Sequence, residues 1–175
     1  MTELPILQTE RFTLRPLRAG DEQALFPTLS DEAQCLYLSR PAFASAEELW
    51  GWLAAPDWPG RTWIAEDGEG RVVGRFVAVP AHEEGVLEIG YITCIDRQGE
   101  GVARKCTAAL VDHLLATGTR KLIAEVDVEN TPSIRLLDRL GFTREALLRE
   151  HETTHKGLCD VAVYGLLASD PRPSK

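Results

Sequence analysis

A chain of 175 residues, 44% hydrophobic and 26% charged, has the size and balance of one ordinary folded domain rather than a disordered segment. Its formal net charge of −8, with no basic run longer than two residues, argues against a nucleic-acid partner and weakly favours cationic ligands. No apolar run nears the ~18 residues of a membrane span, MTELPILQTE lacks a signal pattern, and four scattered cysteines read as reduced thiols of a cytoplasmic protein.

RFTLRPL, at residues 11–17, alternates apolar and polar side chains and predicts a half-buried strand. GDEQALFPTLS follows as a short helix that starts near Asp21 and breaks or ends around Pro27. SAEELWGWLA predicts a second helix, with Ser45 and Glu48 at capping-box spacing. RTWIAED and RVVGRFVAVP predict two strands joined by a tight turn at DGEG. A strand over residues 86–95 leads to a helix at 100–116 whose Val102, Cys106, Leu110 and Leu114 share one face. Residues 121–128 predict the next strand and 130–140 the next helix, with Pro132 in its first turn and Gly141 as its C-terminal cap. The remainder predicts two strands around a loop at 156–157. Together these give an α/β (α+β) domain over residues 1–168, built on a central, mostly antiparallel mixed sheet of about seven strands, with a flexible tail at 169–175.

DRQGEGVARKC, where strand hands over to helix, holds Gly99 and Gly101 one residue apart. Each costs ~0.5–1 kcal/mol of backbone entropy against alanine. A glycine-rich entry to a helix leaves the first main-chain N–H groups unpaired and, with the helix dipole, forms an anion site. A tight turn with close strand–helix packing explains the pair equally well. The dinucleotide pattern G-x-G-x-x-G fails at Arg104, and a Walker loop is absent.

Gln98, Gly101 and Ala103 in QGEGVA resemble the Q/R-x-x-G-x-G/A motif of the GNAT superfamily of acyl-CoA N-acyltransferases. EIGY before this loop is similar to the family's fourth strand, and NTPSIRLLDRLGF resembles its N-x-x-S/A…L-G-F helix. The opening TERFTLRPLRAGD and the ending LREHETTHKGLCDVAVYGLL are similar to the branch of ribosomal-protein N-terminal acetyltransferases (RimJ/RimL-like). The resemblance implies acetyl-CoA in a cleft where the fourth and fifth expected strands splay apart. Gln98, Gly99, Glu100, Gly101, Val102 and Ala103 would hold the pyrophosphate through main-chain N–H groups. Main-chain groups near Ile92 and Thr93 would pair with the pantetheine, and Asn130 matches a pantetheine-contacting asparagine, although its spacing suits a plain helix cap as well.

The implied reaction moves acetyl from acetyl-CoA to a primary amine, on a protein N-terminus or a small molecule, by direct attack. The amine must lose a proton, attack in line, and leave a thiolate that takes a proton up. Glu88 is the candidate base; a solvated strand carboxylate is the other reading, and a bulge at Gly90 would decide which face it meets. Many family members carry a tyrosine seven residues after the asparagine, where this chain has Leu137. Ser133 matches the S of N-x-x-S, and the resemblance to the ribosomal-protein branch implies it as the candidate acid, against a serine bonded to its own helix start, with Tyr164 a distant third. His151 and His155 either line the acceptor pocket or lie on the surface, and the four tryptophans read as core or cleft wall. The expected partners are acetyl-CoA and an amine, without metal, nucleic acid or membrane; a homodimer stays open. So do a CoA-binding sensor or regulatory protein without turnover, and the use of another acyl-CoA.

Overall fold

Residues 4–173, described by a computed structural model, wrap helices around one eight-stranded sheet. In chain order the elements are β1 (Leu7–Gln8), β2 (Thr13–Pro16), α1 (Asp21–Leu29), α2 (Ala46–Leu53), β3 (Arg61–Glu66), β4 (Val72–Pro80) and β5 (Val86–Thr93). A single 3-10 turn leads to α3 (Val102–Ala116), β6 (Lys121–Asp127), α4 (Thr131–Leu140), β7 (Thr143–Thr154) and β8 (Gly157–Leu167). The strands lie in the order β1-β2-β3-β4-β5-β6-β8-β7, with every neighbouring pair antiparallel except β5 and β6.

The expected architecture holds, with eight strands rather than about seven. The extra one is β1, two residues paired with β2 and too short to carry any periodicity. Helix α1 runs two residues past Pro27, because a proline this near the end forfeits one bond while Ser30 N–H still closes on Phe26 O. Helix α3 begins at Val102 rather than residue 100, since Gly101 sits at φ +80°, outside the helical region.

Helices α3 and α4 cover one face of the sheet, burying Cys106, Leu110, Leu114, Leu136, Leu137 and Leu140 against strand residues such as Phe76, Ile89 and Leu122. Full burial of a leucine stabilises by about 1.5–3 kcal/mol, so this face anchors the fold. Helices α1 and α2 close the other face through Leu25, Leu29, Leu49 and Leu53. A buried ion cluster fixes the start of α1: both Arg15 terminal nitrogens meet Asp21 at 2.7 and 2.8 Å, and Arg15 Nε meets Glu66 at 2.7 Å. The Arg75 guanidinium stacks on Trp52 and Trp58, 4.5 and 5.3 Å from their centroids, so two of the four tryptophans house a buried cation. Trp63 is core.

The tail expected to be flexible is docked as far as residue 173. Arg172 donates to the Leu140 carbonyl at the end of α4 and pairs with Asp112 of α3 at 3.0 Å. Helix-end carbonyls lack partners of their own, which gives an arginine a place to bind. Residues 174 and 175 lie outside the described residues.

Candidate active site

Strands β5 and β6 pair only at Val86–Lys121, Leu87–Leu122 and Glu88–Ile123. Beyond Glu88, β5 stays on β4 as far as Thr93, while β6 stays on β8 as far as Asp127. Each strand is committed to its outer neighbour, so the two diverge and a cleft of about 990 Å³ opens between them. This is the expected splay, between strands that the extra β1 renumbers as fifth and sixth.

Cys94 N–H donates to Val73 O on the β4 side. Main-chain groups alternate along a strand, so Ile92 also turns its own toward β4, where its carbonyl would lie 2.6 Å from a Cβ on Gly74. The main chain of Tyr91 and Thr93, on either side of Ile92, faces the cleft instead. No bulge forms at Gly90, and the β4–β5 register runs unbroken. Glycine serves there to admit Val77, whose methyl would sit 3.0 Å from a Cβ.

On one bank of the cleft, Gly99 and Gly101 adopt φ of +82° and +80°, conformations that favour glycine. A Cβ on either would meet no protein atom within 4 Å, so intramolecular crowding is not the reason for them. Among the described residues, the main-chain N–H groups of Val102, Ala103 and Arg104 have no acceptor; the first that does is Lys105, bonded to Gly101 O. The positive end of a fifteen-residue helix thus meets the cleft through open donors. Arg104, Arg135 and Arg139 also border it, which suits an anion and was not read from the sequence. Arg97 holds the loop in shape by pairing with Asp67 at 2.9 Å and Glu100 at 3.0 Å. Glu100 turns to that arginine, and Gln98 donates to Gln34 at 2.6 Å.

The opposite bank is acidic. Glu88 stands at the fork where the strands part, with Glu125 of β6 and Glu152 of β7 also lining the cleft. Burial, and then the charges of Glu125 and Glu152, push the Glu88 carboxyl above its ordinary range. Asp127 and Glu129, further along, are both paired with Lys156.

Asn130 caps α4, its Oδ1 accepting from Ser133 N at 3.3 Å, so the cap reading is satisfied and its side-chain amide N–H groups have no protein partner among the described residues. The Ser133 hydroxyl makes no bond to its own backbone. It lies 2.6 Å from the Tyr91 hydroxyl, across the cleft from β5. Leu137 is fully buried one turn further on. Tyr164 is buried in the core and not part of the cleft wall. His151 and His155 are exposed and take no part in the cleft wall. Tyr91, like the arginines and Glu125, was not read from the sequence; it sits inside EIGY, a motif read only as strand.

The connection from α1 to α2 spans both banks. Gln34 accepts from Gln98 on the glycine loop, while Tyr37 donates to the Glu129 carbonyl at 3.2 Å beside Lys156.

Residues 11–143 match the family model of the acetyltransferase (GNAT) domain. The chain is 31% identical over 170 residues to an uncharacterized N-acetyltransferase p20 of Bacillus licheniformis, an overlap of 92% of this chain and 95% of that one. A GNAT-family acetyltransferase from Bacillus anthracis superposes with a TM-score of 0.87 at 21% identity, over 95% of this chain and 100% of that one. Spermidine N-acetyltransferase from Vibrio cholerae, solved with CoA and spermine, superposes with a TM-score of 0.81 at 23% identity, over 93% and 98%.

Proposed function

We propose that this chain, which belongs to the GNAT acetyltransferase family, transfers acetyl from acetyl-CoA to a primary amine that enters from the acidic bank. It is an acyltransferase; the donor, the acceptor and the role of each residue are our reading. The observation that carries it is the opposition of the two banks: open N–H donors at the start of α3 face one side, and a carboxyl of raised pKa faces the other. The spermine in the Vibrio cholerae relative supports a cationic acceptor. The chain ends that resemble the ribosomal-protein branch support a protein N-terminus. The two acceptors share an amine that must be deprotonated.

The main-chain donors from Gly99 to Ala103, with Arg104, would neutralise the pyrophosphate. The open main chain of Tyr91 and Thr93 would run along the pantetheine, and one such N–H aimed at the thioester oxygen contributes ~2.7–4 kcal/mol to the transition state. An alkylammonium has a pKa near 10.4, so roughly one molecule in a thousand is free amine at neutral pH. Glu88 takes up the ammonium proton, directly or through water, and its raised pKa makes it a stronger base than an exposed carboxylate. The amine nitrogen then attacks the carbonyl carbon, the C–S bond breaks, and the thiolate is protonated with Ser133 as donor. Residues 1–168 act as one catalytic unit.

Thiol release from acetyl-CoA across a panel of polyamines, aminoglycosides and N-terminal peptides tests the reading. Turnover with at least one amine is the expected result. Tight CoA binding without thiol release would favour the sensor reading that Leu137 raises, and turnover with longer acyl-CoA alone would move the donor.

A further inference from the structure

We infer that Tyr91 is a positioning residue for thiolate protonation: it holds the Ser133 hydroxyl toward the cleft and passes it a proton from the opposite wall. The inference rests on the acetyl-transfer reading above.

It starts from a proton count. Tyr91 and Ser133 carry one hydroxyl proton each, and the 2.6 Å contact uses one. Neither oxygen has another partner among the described residues, so one proton remains without a protein acceptor on a pair that borders the cleft. A phenol is more acidic than an alcohol, which makes Tyr91 the donor within the pair and leaves the free proton on Ser133. A serine in the first turn of a helix usually bonds its own backbone. Here Asn130 already supplies the cap, and Ser133 Oγ is taken by Tyr91 instead.

The position of Leu137 explains why the pair is needed. It follows Ser133 by four residues, on the same face of α4, and is fully covered by core. A phenol is therefore present in the cleft, but it arrives from β5 rather than from α4. Burial raises the Tyr91 pKa, outweighing the opposite pull of Ser133, so the phenol stays protonated at neutral pH.

In the step itself the C–S electron pair goes to sulfur. Sulfur takes the Ser133 proton, Ser133 takes the Tyr91 proton, and the phenolate is reprotonated by water. The nitrogen sheds two protons, one to Glu88 before attack and one to water as the tetrahedral adduct collapses. The first offsets the proton drawn from water by the phenolate, so ammonium plus thioester gives amide, thiol and one proton. The phenol is less acidic than the ~8.5 of an ordinary thiol, so the relay is drawn forward by reprotonation of the phenolate, and the hydrogen bond from Ser133 to the developing negative sulfur assists it.

The test is a cycle of Tyr91→Phe, Ser133→Ala and the double variant, with turnover at saturating acetyl-CoA, CoA affinity, and the solvent deuterium isotope effect. Expected are roughly tenfold or greater losses in turnover for each single, CoA affinity within about twofold, a smaller isotope effect, and a double variant no slower than Ser133→Ala. Wild-type turnover in Tyr91→Phe, or losses that multiply in the double variant, overturns the inference. A second readout needs no turnover: spectroscopic titration of tyrosinate, with Tyr91→Phe identifying the Tyr91 signal. Ser133→Ala should raise the Tyr91 pKa; an unmoved signal overturns the pairing, whereas an inactive wild type with a moved signal faults only the acetyl-transfer reading.

Discussion

On the α3 bank of the cleft, a few consecutive residues present main-chain N–H groups, with the Arg104 side chain beside them. On the acidic bank, Glu88, Glu125 and Glu152 converge from three strands, and everything depends on side-chain charge. The first bank suits a ligand whose anionic part stays constant from one reaction to the next. The second can be retuned by single substitutions without disturbing the backbone. On the proposed function, this division separates the site of a common donor from that of a variable acceptor.

The largest expected effect strikes the acidic bank. Glu88→Gln keeps the shape and removes the base, and turnover with an alkylamine at neutral pH should fall by ~10²–10⁴-fold, recovering partly at high pH. The same variant should be more stable than wild type at pH 7. A carboxyl whose folded pKa is raised costs stability once ionised, so the gain should vanish as pH falls below the ordinary carboxyl value. Thermal melts and pH–rate profiles with CoA saturating check both; parallel profiles with under a few-fold loss would return Glu88 to a plain strand carboxylate.

Gly101→Asp probes the other bank. It places a side chain at φ +80° and a negative charge beside the open N–H groups. CoA affinity should drop about a hundredfold, ~2.8 kcal/mol, while the fold survives because the added Cβ meets nothing. Unchanged affinity by calorimetry in a folded variant would break the assignment of this loop to the phosphates.

The smallest effect sharpens the contrast. Glu152→Gln removes one charge that raises the Glu88 pKa, so the acid limb of the rate profile should move to lower pH. The KM for a polyamine should rise by up to about fivefold, the scale of an exposed charge pair, and CoA affinity should not change. A larger effect on CoA than on the amine would erase the distinction between the banks.

The same division governs what could be read from residues alone. The glycine loop, the capped α4 and the amphipathic α3 are contiguous, so local rules expose them. Tyr91 and Ser133 lie 42 residues apart, and their contact exists only once β5 and α4 face each other. Glu125 and Glu152 come to Glu88 only through the register of β6, β8 and β7, which no local pattern discloses. Gly90 left the face of Glu88 open in the sequence because a glycine in a strand signals either a kink or a crowded neighbour, and here Val77 is that neighbour.

The segment between α1 and α2 touches the glycine loop through Gln34 and the acidic side through Tyr37. One piece of chain therefore touches both sides of the cleft. Any free energy that a bound donor spends or releases in shifting it alters acceptor affinity, and reciprocity requires the acceptor to alter donor affinity by the same factor. Under the proposed function, any coupling of the two binding events through this segment can be read from a thermodynamic square without resolving which substrate arrives first.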